Sequence, residues 1–215
     1  MNIVDVSLYG IVDPNRSKGR PLADLAKTSA ENGATLIQYR DKQNDIRTMI
    51  ETAKSIKQAL KTTSVPFIVN DRVDIALASQ ADGVHLGQGD MRIEDARKLL
   101  GKNSIIGLSI KTSQQAKEAP IEILDYAFVG GVFDTQSKDN PTSLGIHGWM
   151  EIANILKNRN PDLPVGAIAG IDENNIGSLF KTGCDGVAII SALYMADDVA
   201  HATNQLSRLI KEARK

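Results

Sequence analysis

The chain has 215 residues, 25 Lys+Arg against 26 Asp+Glu, 42% hydrophobic and 24% charged residues, and a single cysteine. This near-average composition excludes intrinsic disorder, collagen-like repeats and a disulfide scaffold, and a net charge of −1 offers no electrostatic footprint for nucleic acid or an anionic membrane. With no apolar run near the ~20 residues of a membrane span, an acidic residue inside MNIVDVSLYGIVD and an unpairable Cys184, a soluble cytoplasmic protein is expected.

Along the chain, short apolar β-rich runs alternate with helix-like stretches. The first run is SLYGIVD (7–13) and the second ATLIQYRD (34–41). Between the second and third lies IRTMIETAKSIKQAL, where Ile46, Met49, Ile50, Ala53, Ile56 and Leu60 fall at helical spacing with charges opposite. The runs continue as VPFIVND (65–71), DGVHLGQ (82–88), SIIGLSI (104–110), YAFVGGVF (126–133), PVGAIAGI (164–171) and DGVAIISAL (185–193). A last amphipathic stretch carries Val199, Leu206, Leu209 and Ile210, and Gly33, Gly101 and Gly183 stand where helix C-termini precede strands.

Runs that are apolar nearly throughout suit strands covered by helices rather than half-exposed hairpins. Eight such repeats fill residues 1–215, which predicts one domain, a (β/α)₈ TIM barrel. The alternative is a doubly wound open sheet, but no G-x-G-x-x-G turn follows the first run. A barrel places its active site at the C-terminal strand ends, so polar residues there become the candidates.

Run two ends in Gln38-Tyr39-Arg40-Asp41-Lys42, and alternation puts Gln38, Arg40 and Lys42 on one side. Run three ends in Asn70-Asp71-Arg72 and run four in Gly87-Gln88-Gly89-Asp90. Taken singly, Arg40 and Lys42 read as a solvated strand end, and Asp71 and Asp90 as helix caps. Together, two carboxylates beside two cations form the kind of site where Mg²⁺ holds a diphosphate through carboxylate, phosphate and water oxygens.

The later runs end in small residues, Ala169-Gly170-Ile171 and Ile190-Ser191-Ala192. Backbone N–H groups after strands seven and eight recur as a phosphate site in these barrels. The polar segment Phe133–Pro141 after run six reads as a ligand-covering loop. A substrate pair carrying a diphosphate and a monophosphate fits these two anion-binding halves. His147, His201, Cys184 and Trp149 read as structural, and the Asn15-Arg16-Ser17 sequon as a chance match.

The combination GATLIQYRDK, VPFIVNDRVDIALASQADGVHLGQGDM, GLSI, DYAFVGGVFDTQSK, AIAGI and GVAIISAL resembles the thiamine-phosphate synthase family, in order and over essentially the whole chain. The resemblance implies a barrel enzyme that joins a hydroxymethylpyrimidine diphosphate to a thiazole monophosphate, with Mg²⁺, releasing pyrophosphate. It assigns catalytic roles to Arg40, Lys42 and Lys138 on the diphosphate and to Ser109 as a neutral hydrogen-bonding group, and metal ligation to Asp71 and Asp90. It further assigns substrate contacts to Gln38, Asn70, Thr135, Ser137, Gly170, Ile190 and Ser191, and a pyrimidine pocket to His85, Gly87 and Tyr126. Partners are then small molecules, with no nucleic acid or membrane, and homo-oligomerisation is left open.

This chain departs from the family pattern at Gly89, Gly131, Asp134 and Ala169. The substitution implied needs no proton transfer at the reacting atoms, so leaving-group stabilisation and orientation are the expected tools. Two alternatives stand beside it. A thiazole tautomerase of the same barrel type typically lacks the Asn-Asp pair and has His where Lys111 stands. A non-catalytic barrel binding a phosphorylated metabolite is the other.

Overall fold

The computed structural model describes residues 4–134 and 143–215. Eight parallel strands close into a barrel in sequence order: β1 (Leu8–Val12), β2 (Leu36–Tyr39), β3 (Phe67–Asn70), β4 (Gly83–Leu86), β5 (Ile105–Ile110), β6 (Tyr126–Gly130), β7 (Val165–Ile168) and β8 (Gly186–Ile189), with β8 pairing back onto β1. The open doubly wound sheet is thereby excluded. Outside run α1 (Leu22–Glu31), α2 (Ile46–Ala59), α3 (Val73–Ser79), α4 (Ile93–Leu100), α5 (Ser113–Glu118), α6 (Gly145–Arg159), α7 (Ile176–Phe180), α8 (Ser191–Tyr194) and α9 (Val199–Ala213).

The apolar residues sort into two cores. Outward strand residues such as Leu8, Ile37, Val69 and Val187 pack against the helices. Inward residues Tyr9, Ile11, Leu36, Ile68, Tyr126, Phe128 and Ala188 fill the barrel itself. Both strand faces are covered, which is why the runs read as continuously apolar. In α2 the expected stripe holds for Met49, Ala53 and Ile56, but Ile46 is half exposed. It directly follows the capping Asp45, in the first turn of the helix.

A repeated device fastens the N-terminal ends of the strands. Asp82, just before β4, accepts from Phe67 N at 2.8 Å and pairs with Lys57. Asp125, before β6, accepts from Ile106 N at 2.8 Å and pairs with Arg97; Asp185, before β8, accepts from Val165 N at 2.7 Å and pairs with Lys157. Thr35 does the same before β2 through its hydroxyl, which accepts from Leu8 N at 3.1 Å. These side chains satisfy N–H groups at the N-terminal end of the barrel and leave the opposite end free for chemistry. Cys184 lies at this N-terminal end, buried, with burial pushing its thiol up to about 12, so it is an inert packed thiol. Trp149 packs inside α6 and donates to Gly166 O at 3.2 Å.

Candidate active site

At the C-terminal ends of the strands the barrel opens into a cavity of about 710 Å³. Its floor is aromatic. Tyr9, His85, Tyr126 and Phe128 meet at ring-centroid separations of 5.3–6.3 Å, mostly edge to face, with His85 and Tyr126 near parallel. Glycines on the neighbouring strands make room for these rings. A Cβ at Gly107 would strike the Tyr126 ring, and one at Gly166 would come within 2.5 Å of Phe128. The floor is therefore specified as much by two missing side chains as by four present ones.

Above the floor, β2 and β3 present the charged wall. Arg40 pairs with Asp13 at the end of β1, and Lys42 pairs with Asp71 just past β3. Asp71 has φ +59, a left-handed conformation that Asp tolerates, and its N–H bonds His85 O at 2.9 Å. Burial and the adjacent Asp90 raise its pKa, with Lys42 opposing them. Asp90 folds back on its own turn and accepts from Gly87 N at 2.7 Å.

Neither carboxylate caps a helix. The N-cap positions of α3 and α4 are Arg72 and Arg92, both without a side-chain cap bond. Asp71 and Asp90 are thus two adjacent oxygen-donor groups turned into the cavity rather than spent on helix ends. Hard carboxylate oxygens suit Mg²⁺, which takes its remaining ligands from water and phosphate. Among the described residues no cluster of three or more His, Cys, Asp or Glu side chains could hold a metal by itself. The pair consequently fits a cation shared with a phosphorylated ligand, not a closed structural site.

The charged groups lining the cavity, among the described residues, are Arg16, Arg40, Lys42 and Lys111 against Asp13, Asp71 and Asp90. That balance is close to neutral and cannot by itself neutralise several phosphate charges in a half-enclosed space. A divalent cation on the two carboxylates would tip it.

Opposite the charged wall, the ends of β7 and β8 contribute Ala169, Gly170, Ile171, Ile190, Ser191 and Ala192. Gly170 has φ +65, and a Cβ there would run into Asp134 O and sit 2.7 Å from Phe133 Cβ, so only glycine fits. Ala169, a departure from the family pattern, carries φ +94 without glycine's freedom. That strain is of the order of 1–3 kcal/mol, against about 0.4–1 kcal/mol of unfolded-state entropy that glycine would restore. Ala169→Gly is accordingly expected to stabilise the protein by about 1 kcal/mol, raising Tm by about 2–4 °C; thermal unfolding followed by circular dichroism checks it, and an unchanged or lower Tm contradicts it.

The structure brings together Gln38, Arg40, Lys42, Asn70, Asp71, His85, Gly87, Asp90, Ser109, Gly170, Ile190 and Ser191 around this one cavity. Tyr126, expected at the pocket wall, lies instead one layer deeper. It begins β6 in register with Gly107, is fully buried, and reaches the cavity through the lining residues Tyr9 and His85 that its hydroxyl meets. Thr135, Ser137 and Lys138 lie outside the described residues. Asp13, Tyr9 and Phe128 also line the cavity and were not singled out from sequence. Asp13 was detectable, being the polar residue that ends the first run; Tyr9 and Phe128 look like any other strand aromatics.

The family model described as thiamine monophosphate synthase matches residues 8–193. The chain is 48% identical over 216 residues to a thiamine-phosphate synthase of Agrobacterium fabrum, spanning 100% of this chain and 98% of that one. It is 39% identical over 211 residues to a thiamine-phosphate synthase of Persephonella marina, spanning 98% and 99%. Among solved structures, a thiamine phosphate pyrophosphorylase from Pyrococcus furiosus superposes with a TM-score of 0.86 at 38% identity, covering 99% of this chain and 98% of that one.

Proposed function

The chain belongs to the thiamine monophosphate synthase family, and we propose that its cavity condenses hydroxymethylpyrimidine diphosphate with thiazole phosphate, on Mg²⁺ held by Asp71 and Asp90, to give thiamine phosphate and pyrophosphate. The observation that carries the metal-dependent part is the pair of carboxylates that cap no helix and line a cavity whose charges, among the described residues, nearly cancel.

In this reaction the C–O bond to the diphosphate breaks, its electron pair leaving with pyrophosphate, and the thiazole nitrogen lone pair forms the new C–N bond. No proton moves at the reacting atoms. The cavity agrees with that economy, because burial lowers the pKa of its one histidine, His85, to about 4 and makes it a poor proton acceptor. Bound Mg²⁺ would supply charge neutralisation for the leaving group.

The chain's own residues do the rest. Arg40 and Lys42 direct their cationic ends to the wall where the diphosphate lies, and Lys138 is assigned there from the sequence alone. Charge-assisted contacts of this type strengthen as negative charge builds on the departing oxygen. Asn70 and Ser109 offer neutral hydrogen bonds, while Gln38 and His85 meet the pyrimidine. The Gly170 and Ser191 side holds the thiazole phosphate, so the nitrogen faces the carbon it attacks. The apolar surfaces of Ile168 and Ile190 exclude water that would otherwise capture that carbon.

Incubation of the protein with both substrates and Mg²⁺ is expected to release pyrophosphate and form thiamine phosphate, with neither substrate sufficient alone. Isomerisation of a thiazole carboxylate phosphate without metal would identify a tautomerase instead, and binding without turnover a non-catalytic barrel.

A further inference from the structure

A chain of hydrogen bonds crosses the barrel floor from β2 to β5. Gln38 Nε2 donates to Tyr9 Oη at 2.5 Å, and Tyr9 Oη lies 2.9 Å from Tyr126 Oη. Tyr126 Oη is 3.2 Å from His85 Nδ1, and His85 Nε2 is 2.9 Å from Ser109 Oγ. Gln38, Tyr9, Tyr126 and His85 are all buried; Gln38 and Ser109 stand at the two ends of the chain, and both line the cavity together with Tyr9 and His85.

Each hydroxyl carries one proton, and a neutral imidazole has one N–H and one bare nitrogen. The direction of any single bond therefore fixes all the others. With the Gln38 amide nitrogen against Tyr9, Tyr9 donates to Tyr126, Tyr126 donates to Nδ1 and His85 donates through Nε2 to Ser109. The Ser109 proton is then left for the cavity, and Gln38 keeps its Oε1 as an acceptor. Reversing one link alone would set two protons face to face, or leave a buried donor empty. Both are costly where no water can substitute. The ring contacts among Tyr9, His85, Tyr126 and Phe128 hold the side chains in place while this order is kept.

We propose that Tyr9, Tyr126 and His85 are positioning residues that couple the hydrogen-bond polarity of Gln38 to that of Ser109, so that the floor presents an acceptor on one side, a donor on the other, and selects an amino-substituted heteroaromatic ring over its oxo counterpart. An amino group gives a donor beside a bare ring nitrogen; an oxo group with a ring N–H inverts that pair. The selection step rests on the pyrimidine-binding reading above, but the coupling does not.

The coupling is tested without substrate, by ¹⁵N side-chain spectra of the three histidines in the full chain, with His147→Gln and His201→Gln identifying the other two signals. His85 is expected with Nε2 protonated and Nδ1 bare. Gln38→Glu keeps the side-chain length and does not touch His85, but once ionised it offers Tyr9 only an acceptor. Tyr9 then turns its proton to it and Tyr126 donates to Tyr9, so His85 is expected to become protonated on Nδ1 as that carboxylate ionises with rising pH. A wild-type His85 protonated on Nδ1, or a Gln38→Glu spectrum whose His85 tautomer does not move as pH is raised, overturns the coupling. A role for Gln38 confined to its own pocket contact would leave the tautomer alone.

The selection is tested by kcat/KM for the aminopyrimidine diphosphate against its oxo analogue. The wild type is expected to favour the amino form by about 100-fold or more, and Tyr9→Phe to narrow that ratio at least about tenfold. An unchanged ratio overturns the selection. A wild type that turns over neither compound overturns the functional reading instead, and the tautomer measurement still decides the coupling.

Discussion

Replacing Asp71 or Asp90 by asparagine is expected to raise the Mg²⁺ concentration for half-maximal rate by about 100-fold or more, since changes even in groups behind metal ligands cost about 10–100-fold in affinity. Both substitutions are gentle to the fold. Asparagine tolerates the left-handed backbone of Asp71 at φ +59, and its amide oxygen can still accept from Gly87 N in place of Asp90. Neither carboxylate caps a helix, so no helix end loses its partner. What changes is the charge and basicity of one oxygen donor. A magnesium titration of the initial rate reads this directly, and unchanged half-saturation in both variants would sink the metal assignment.

A second readout does not depend on turnover. Mg²⁺ that binds the folded chain and not the unfolded one raises Tm with concentration, and that rise should shrink in each variant. It also has a pH signature. The Asp71 pKa is raised by burial and by Asp90, so the proton competes with the cation at higher pH than it would on an exposed aspartate. The Mg²⁺-induced rise in Tm is therefore expected to fade as pH falls towards that raised value. In the metal-free protein the sign is opposite. The folded state binds this proton more tightly than the unfolded chain, so Asp71 costs stability at neutral pH and the cost disappears on acidification.

The sequence made the barrel legible because continuous apolar runs and amphipathic helices have different periods, and eight repeats left little chain unexplained. Arg40, Lys42, Asp71 and Asp90 could be found because strand ends in a barrel converge on one mouth. Their roles were less legible. An aspartate before a helix looks the same whether it caps that helix or faces a cavity, and the structure distinguishes the two because Arg72 and Arg92 hold the N-cap positions while Asp90 accepts from Gly87 N. Depth was lost as well. Alternation places Tyr126 on the inner face, but not one layer below the cavity, since that depends on the stagger between β5 and β6 that sets Tyr126 opposite Gly107. The floor's hydrogen-bond order joins residues 9, 38, 85, 109 and 126, which no local pattern connects. Gly107 and Gly166 were visible as strand glycines, while the rings they admit were not.

Arg40→Ala is expected to lower kcat/KM by about 100-fold and also to destabilise the fold, and the two losses can be separated. The guanidinium is 37% exposed, but the Asp13 side chain it pairs with is only 4% exposed. Removing the cation strands a buried carboxylate whose remaining contact includes Asn15 N at 2.9 Å. Losing one partner of a fully buried pair costs about 3–5 kcal/mol; with the arginine partly in solvent, about 2 kcal/mol is the reasonable expectation. The kinetic loss has another origin, a charge-assisted contact to the departing diphosphate worth about 1.5–3 kcal/mol. Adding Asp13→Asn to Arg40→Ala removes the stranded charge, so the double variant should recover most of the stability and none of the activity. Arg40→Lys should keep the ion pair and most of the stability, but lose the forked geometry that meets two oxygens at once. Urea unfolding and steady-state kinetics on the three variants decide it. If activity returns together with stability in the double variant, Arg40 merely neutralises Asp13 and has no contact with the leaving group.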